Sequence, residues 1–119
     1  NPDAAIQGIR AMTTPTCLIG GGYDKGSTYD EWIEAFGSTI KYLVLIGQTS
    51  KAIADCCEKH GFTNYEFATS MEEAVEKCAS HAKPGEAVLL SPACASWGMF
   101  DNYEQRGRIF KELVRKLPD

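Results

Sequence analysis

Several features that would narrow the class of this chain at once are missing from it. There is no Cys-x-x-Cys pair, and the five cysteines, at positions 17, 56, 57, 78 and 94, are odd in number. A zinc ribbon needs closely spaced thiolates and a disulfide framework needs paired ones, so neither is expected. Histidine is scarce: only His60 and His81 occur, both near predicted helix ends, and no metal site is expected from them. No apolar run approaches the roughly 20 residues of a membrane-spanning helix, and no secretory leader is expected. Basic residues are not in excess either, since 12 Lys and Arg stand against 16 Asp and Glu, a net charge of −4. A nucleic-acid surface needs clustered cations to displace counterions from phosphates. The most basic stretch, Arg106, Arg108, Lys111, Arg115 and Lys116, is interleaved with Ile109, Phe110, Leu113, Val114 and Leu117. It reads as the solvated face of an amphipathic helix. No nucleic acid and no membrane are expected as partners, and the reduced thiols in apolar patterns point to a cytoplasmic location.

What is present suits one folded domain over residues 1–119, with 44% hydrophobic and 24% charged side chains. The Asn-Pro start has no initiator Met, and the chain is expected to be part of something longer. Ala4, Ala5, Ile6, Ile9 and Met12 have helical spacing. "TCLIGG" (16–21) is a short buried strand ended by glycines. "TYDE" (28–31) has the form of a capping box and opens a helix that Gly37 stops. "YLVLIG" (42–47) is the clearest strand, followed by a helix over about 49–60 with Ala52, Ile53, Cys56 and Cys57 inward. "YEFA" (65–68) alternates as a strand nearer a sheet edge. "SMEE" (70–73) caps a helix whose inner face is Met71, Ala74, Val75, Cys78 and Ala82. "AVLL" (87–90) is the last strand, and a final helix is expected over about 103–117.

Helices alternating with short apolar strands predict an α/β fold: a three-layer, Rossmann-like domain with a mainly parallel sheet. Right-handed crossovers and short connections favour the strand order 3-2-1-4. That order places strand 1 beside strand 4, at the reversal where such sheets bind ligands. Two loops would meet there, "GGGYDKGS" after strand 1 and "SPACASWGMFDN" after strand 4.

The first loop satisfies neither common phosphate-binding pattern. Gly21 and Gly26 have P-loop spacing, but Ser27 stands where the lysine belongs. The dinucleotide fingerprint fails because Gly20-x-Gly22 is followed by Gly26. What remains is pliable backbone and Lys25, a lone cation suited to a carboxylate or phosphate. The alternative is that the glycines only turn the chain and Lys25 is solvated. In the second loop, Ser91 and Ser96 can donate to an anion, and a helix starting near Asn102 would add backbone donors. Trp97, Met99 and Phe100 read equally well as an apolar plug over the sheet end. Cys94 has no histidine placed to activate it and reads as a small buried thiol. Asp30, Glu31, Glu34, Glu72, Glu73 and Glu76 fall on outer helix faces, so none is expected to act as a general acid or base.

"LLSPACASWGMFDNYEQRGRIF" (89–110) closely resembles a C-terminal signature of the Mur ligase family. The Asp24-Lys25-Gly26 loop and the Asn-Pro start fit the same family, so the resemblance spans essentially the whole chain. It implies the third, Rossmann-like domain of a three-domain ligase of peptidoglycan precursor synthesis. Such an enzyme joins D-glutamate to UDP-N-acetylmuramoyl-L-alanine with ATP and magnesium, which the other two domains mainly hold. Carried over by matching position, Lys25 pairs with one carboxylate of D-glutamate and Ser96 hydrogen-bonds the other. Tyr103 stands at the aromatic position whose backbone helps hold the substrate, and Trp97 lies where the family commonly has a smaller apolar residue. By this resemblance the chain performs no bond-making step itself. It carries no cofactor alone, is inactive alone, and lacks an Asp-Ser-Lys-Ala-Thr segment expected before Asn1. The reading that does not use the resemblance is an independent α/β module binding a phosphorylated ligand through residues 20–27, or an interaction domain whose loops are structural caps.

Overall fold

A computed structural model describes residues 2–21 and 29–90, with side chains from residue 6 onward. Along these residues run α1 (Pro2–Arg10), β1 (Thr16–Gly21), α2 (Asp30–Glu34), β2 (Ile40–Ile46), α3 (Ser50–Lys59), β3 (Tyr65–Phe67), α4 (Met71–His81) and β4 (Ala87–Leu90). The helix expected over 103–117 lies outside the described residues.

The four strands are all parallel, in the order β3-β2-β1-β4. All six residues of β1 are buried, as a strand covered on both faces requires. Because successive side chains point to opposite faces, the apolar runs of β1 and β2 serve two cores. Leu18, Leu43 and Leu45 pack with Ile6 and Ile9 of α1, Trp32 and Ile33 of α2, and Ile53, Ala54 and Cys57 of α3. Cys17, Ile19, Val44 and Ile46 pack with Met71, Ala74, Val75 and Cys78 of α4. The sheet is thus the middle layer of three.

Local signals and observed boundaries agree where the sequence chemistry is self-contained. At α4 the Ser70 hydroxyl accepts from the Glu73 N–H at 3.0 Å. The Glu73 carboxylate reaches back to the Thr69 N–H at 2.9 Å, one residue further out than the usual box. α3 ends in a Schellman arrangement: the Phe62 N–H bonds to the Cys57 carbonyl at 2.9 Å and the Gly61 N–H to the Glu58 carbonyl at 3.1 Å. Gly61 takes φ +78°, which a side chain would resist.

Two expectations are corrected, and a third falls partly outside the described residues. β2 begins at Ile40, two residues before the apolar run suggested. Lys41 does not interrupt it, because strand pairing uses the backbone and the ammonium reaches Glu86 at 2.7 Å. The buried stripe of α3 is Ile53, Ala54 and Cys57, while Ala52 is exposed and Cys56 only half-buried. The phase is set by Ile53 and Cys57, both fully buried on the sheet, which turns Ala52 toward solvent. At α2 the residue before the helix is Tyr29, which makes no side-chain cap. Thr28 lies outside the described residues. Among the described residues no helix is long and apolar enough to cross a membrane.

Candidate functional site

β1 and β4 are hydrogen-bonded neighbours, with Cys17 opposite Val88, Leu18 opposite Leu89 and Ile19 opposite Leu90. Since they are parallel, the chain leaves both at the same carboxyl edge, after Gly21 and after Leu90. From β1 the chain winds through β2 to β3, then returns to the other side of β1 as β4. The two exits therefore flank the reversal of strand order, the usual ligand position in open α/β sheets. Lys25, Ser96, Trp97 and Tyr103 all lie outside the described residues, as do Ser91 and Cys94. The structure defines the stems from which their segments start.

The first stem is built tightly. Gly20 and Gly21 belong to β1, so the segment that follows the strand begins at Gly22. A Cβ on Gly20 would stand 2.8 Å from the edge of the Trp32 ring. A Cβ on Gly21, whose φ is +122°, would stand 1.8 Å from the Ile46 carbonyl oxygen of β2. Two of the glycines are thus accounted for by close approach, to α2 on one side and to the β2 backbone on the other. Trp32 is 1% exposed and meets Phe36 edge-on at 4.9 Å. Its Nε1 is buried with no hydrogen-bond partner among the described residues.

α2 starts at Asp30, where the chain returns from residues 22–28, and this second stem is tied to the end of α3. The Asp30 carboxylate accepts from His60 Nε2 at 2.7 Å and from Lys59 Nζ at 3.1 Å. Those two hydrogen bonds, His60 first, pull its pKa down to about 2. A carboxylate held so firmly ionised is a poor proton acceptor near neutrality. The bond from Lys59 in turn raises the lysine. On the opposite side of the molecule's chemistry, burial raises the thiols of Cys17, Cys57 and Cys78, Cys57 to about 12. These are inert core groups. An open cleft lined by Ile6, Gln7, Arg10, Glu31, Glu34 and Ala35 lies between α1 and α2. It includes no residue of either loop stem.

A family profile described as "Mur ligase, glutamate ligase domain" matches residues 1–94. The chain belongs to the Mur ligase family. Among its relatives, a UDP-N-acetylmuramoylalanine–D-glutamate ligase of Lachnospira eligens is 66% identical over 117 residues, covering 98% of this chain and 26% of the relative. The protein of the same name from Lachnoclostridium phytofermentans is 58% identical over 119 residues, covering 100% of this chain and 26% of the relative. That from a Thermoanaerobacter species is 55% identical over 119 residues, covering 98% and 26%. The chain therefore spans about a quarter of the length of the curated relatives it matches. Within the Mur ligase domain, the parallel sheet and its strand order agree with the expectation from sequence. The Asp30–His60 tie was not legible beforehand, because its partners are 30 residues apart.

Proposed function

We propose that this chain is the D-glutamate-binding domain of a cytoplasmic ATP-dependent ligase that joins D-glutamate to UDP-N-acetylmuramoyl-L-alanine in peptidoglycan precursor synthesis. In this reading Lys25 pairs with one carboxylate of D-glutamate and Ser96 donates to the other. Trp97 and the backbone at Tyr103 complete the pocket. ATP, magnesium and the UDP-linked substrate are bound mainly by parts of the enzyme outside this chain, and the chain by itself does not turn over ATP.

The observation that carries the proposal is the side-by-side departure of the chain from β1 and β4 at the reversal of strand order. A dicarboxylate amino acid needs two anion-binding points close together, and in this reading the two segments that follow these neighbouring strand ends supply one each. Its amine must then be held in line with the activated carboxyl carbon of the other substrate. Such positioning lowers a barrier without any proton or electron passing through this domain.

The test is steady-state kinetics of the whole ligase with each substrate varied in turn. A charge-assisted hydrogen bond is worth about 1.5–3 kcal/mol, so Lys25→Ala should lower kcat/KM for D-glutamate by roughly ten- to a hundredfold. The KM for ATP should change far less. Lys25→Arg should restore little, because a planar guanidinium does not replace a compact ammonium in a close pocket. Unchanged constants for every substrate in both variants would remove Lys25 from the site.

A further inference from the structure

Three chemically different donors converge where α2 starts and α3 stops. Cys56 lies in the last turn of α3 and His60, four residues on, caps the end of that helix, so the two stand on the same side of it. Asp30 comes from the first turn of α2. The Cys56 thiol lies 3.6 Å from Asp30 Oδ1 and His60 Nε2 lies 2.7 Å from the same oxygen. One donor atom from each of the three residues falls within 4.8 Å of the others. The His60 and Asp30 side chains retain 21% and 36% of their exposure, so the cluster is open to ions from solvent.

We propose that Asp30, Cys56 and His60 form a binding site for a zinc-type divalent cation, with water in the fourth position. The argument is geometric. Tetrahedral zinc with the usual Zn–S and Zn–O lengths separates sulfur from oxygen by about 3.6 Å, and the Cys56–Asp30 separation is 3.6 Å. The same lengths separate nitrogen from oxygen by about 3.3 Å. The His60–Asp30 pair, at 2.7 Å, would open by roughly 0.6 Å to admit the ion. A rotation of two half-exposed side chains covers that distance. Lys59, which also contacts Asp30, is 69% exposed and free to swing into solvent. Glu34 Oε1 stands 4.0 Å from His60 Nδ1, where a small approach would let it accept the other ring N–H, the outer contact that orients metal-bound histidines. A plain ion pair between α2 and α3 would need only His60 or Lys59 against Asp30. The Cys56 thiol donates a hydrogen bond to the same oxygen, and on losing its proton to solvent as the ion binds it would add a soft donor that favours zinc over magnesium. Bound there, the ion would lock the return stem of the segment carrying Lys25 onto the end of α3. It would be separate from the magnesium of the proposed ligase reaction.

Cobalt(II) is the probe, since thiolate ligation gives it an intense charge-transfer absorption that oxygen ligands do not. The purified protein, reduced and free of chelator, should take up one equivalent with that absorption, and zinc should displace it. Cys56→Ser should abolish the band, while His60→Ala and Asp30→Asn should each weaken binding at least tenfold. Asp55→Asn, an exposed neighbour paired with Lys51, should leave binding unchanged. As a second readout, zinc should raise the melting temperature of the parent protein and leave that of His60→Ala in place. The replaced side chains are only partly buried, and circular dichroism checks that each variant is folded. Absence of the thiolate band, its survival in Cys56→Ser, or an equal thermal shift in His60→Ala would overturn the proposal.

Discussion

Alanine at Gly21 should be far more damaging than alanine at Gly20, although the two are neighbours in one buried strand. At Gly20 the new methyl meets the rim of the Trp32 ring at 2.8 Å. That obstacle is a side chain, and overpacking of this kind costs about 1–3 kcal/mol. At Gly21 the methyl meets the Ile46 carbonyl oxygen at 1.8 Å, and φ is +122°. The backbone conformation alone costs an alanine about 1–3 kcal/mol. The carbonyl belongs to a strand paired on both sides, to β1 and to β3, so relief requires the β1–β2 ladder to part locally. We expect at least about 3 kcal/mol for Gly21→Ala. Urea unfolding followed by far-UV circular dichroism measures both, and the double variants with Trp32→Phe separate the causes. A smaller ring clears space beside position 20 only, so Trp32→Phe should offset part of the Gly20→Ala loss, a non-additive pair in contact. It should not rescue Gly21→Ala. A Gly21→Ala loss below about 1 kcal/mol, or its recovery by Trp32→Phe, would refute the claim that the β2 backbone is what excludes a side chain there.

Ser70→Ala removes the hydroxyl that receives the Glu73 N–H and should lower stability by about 1 kcal/mol in the same assay. No loss would mean that water replaces the cap. Asp30 contributes stability through a depressed pKa, so its contribution is complete above the ordinary value of 3.8 and disappears as pH falls toward about 2. In metal-free buffer the stability difference between the parent protein and Asp30→Asn should therefore shrink over that interval, and a difference independent of pH there would contradict the pairing. In the whole ligase Ser96→Ala should reduce kcat/KM for D-glutamate less than Lys25→Ala does, because water can partly replace a neutral hydroxyl donor. An equal or larger loss would reverse the roles of the two.

Much of the architecture is legible in the sequence because its signals are local. The short apolar run Cys17–Ile19, ended by glycines, reads as a strand covered on both faces, the Ser70–Glu73 spacing starts a helix, and Gly61 stops one. Alternation of such segments leaves few sheet orders, and 3-2-1-4 is the one adopted. The candidate substrate residues, Lys25, Ser96, Trp97 and Tyr103, were reached from the resemblance of two loop sequences to a family, since periodicity says nothing about which loop side chain meets a ligand. Tertiary structure decided the rest. The phase of α3 depends on Ile53 and Cys57 finding the sheet, which no residue within the helix dictates. Gly20 and Gly21 look like loop glycines, yet the need for them comes from Trp32 and Ile46, brought in by packing. Asp30, Cys56 and His60 meet because α2 and α3 cover the same face of one sheet. A contact between residues 26 to 30 positions apart follows from how those helices pack, and no sequence spacing announces it.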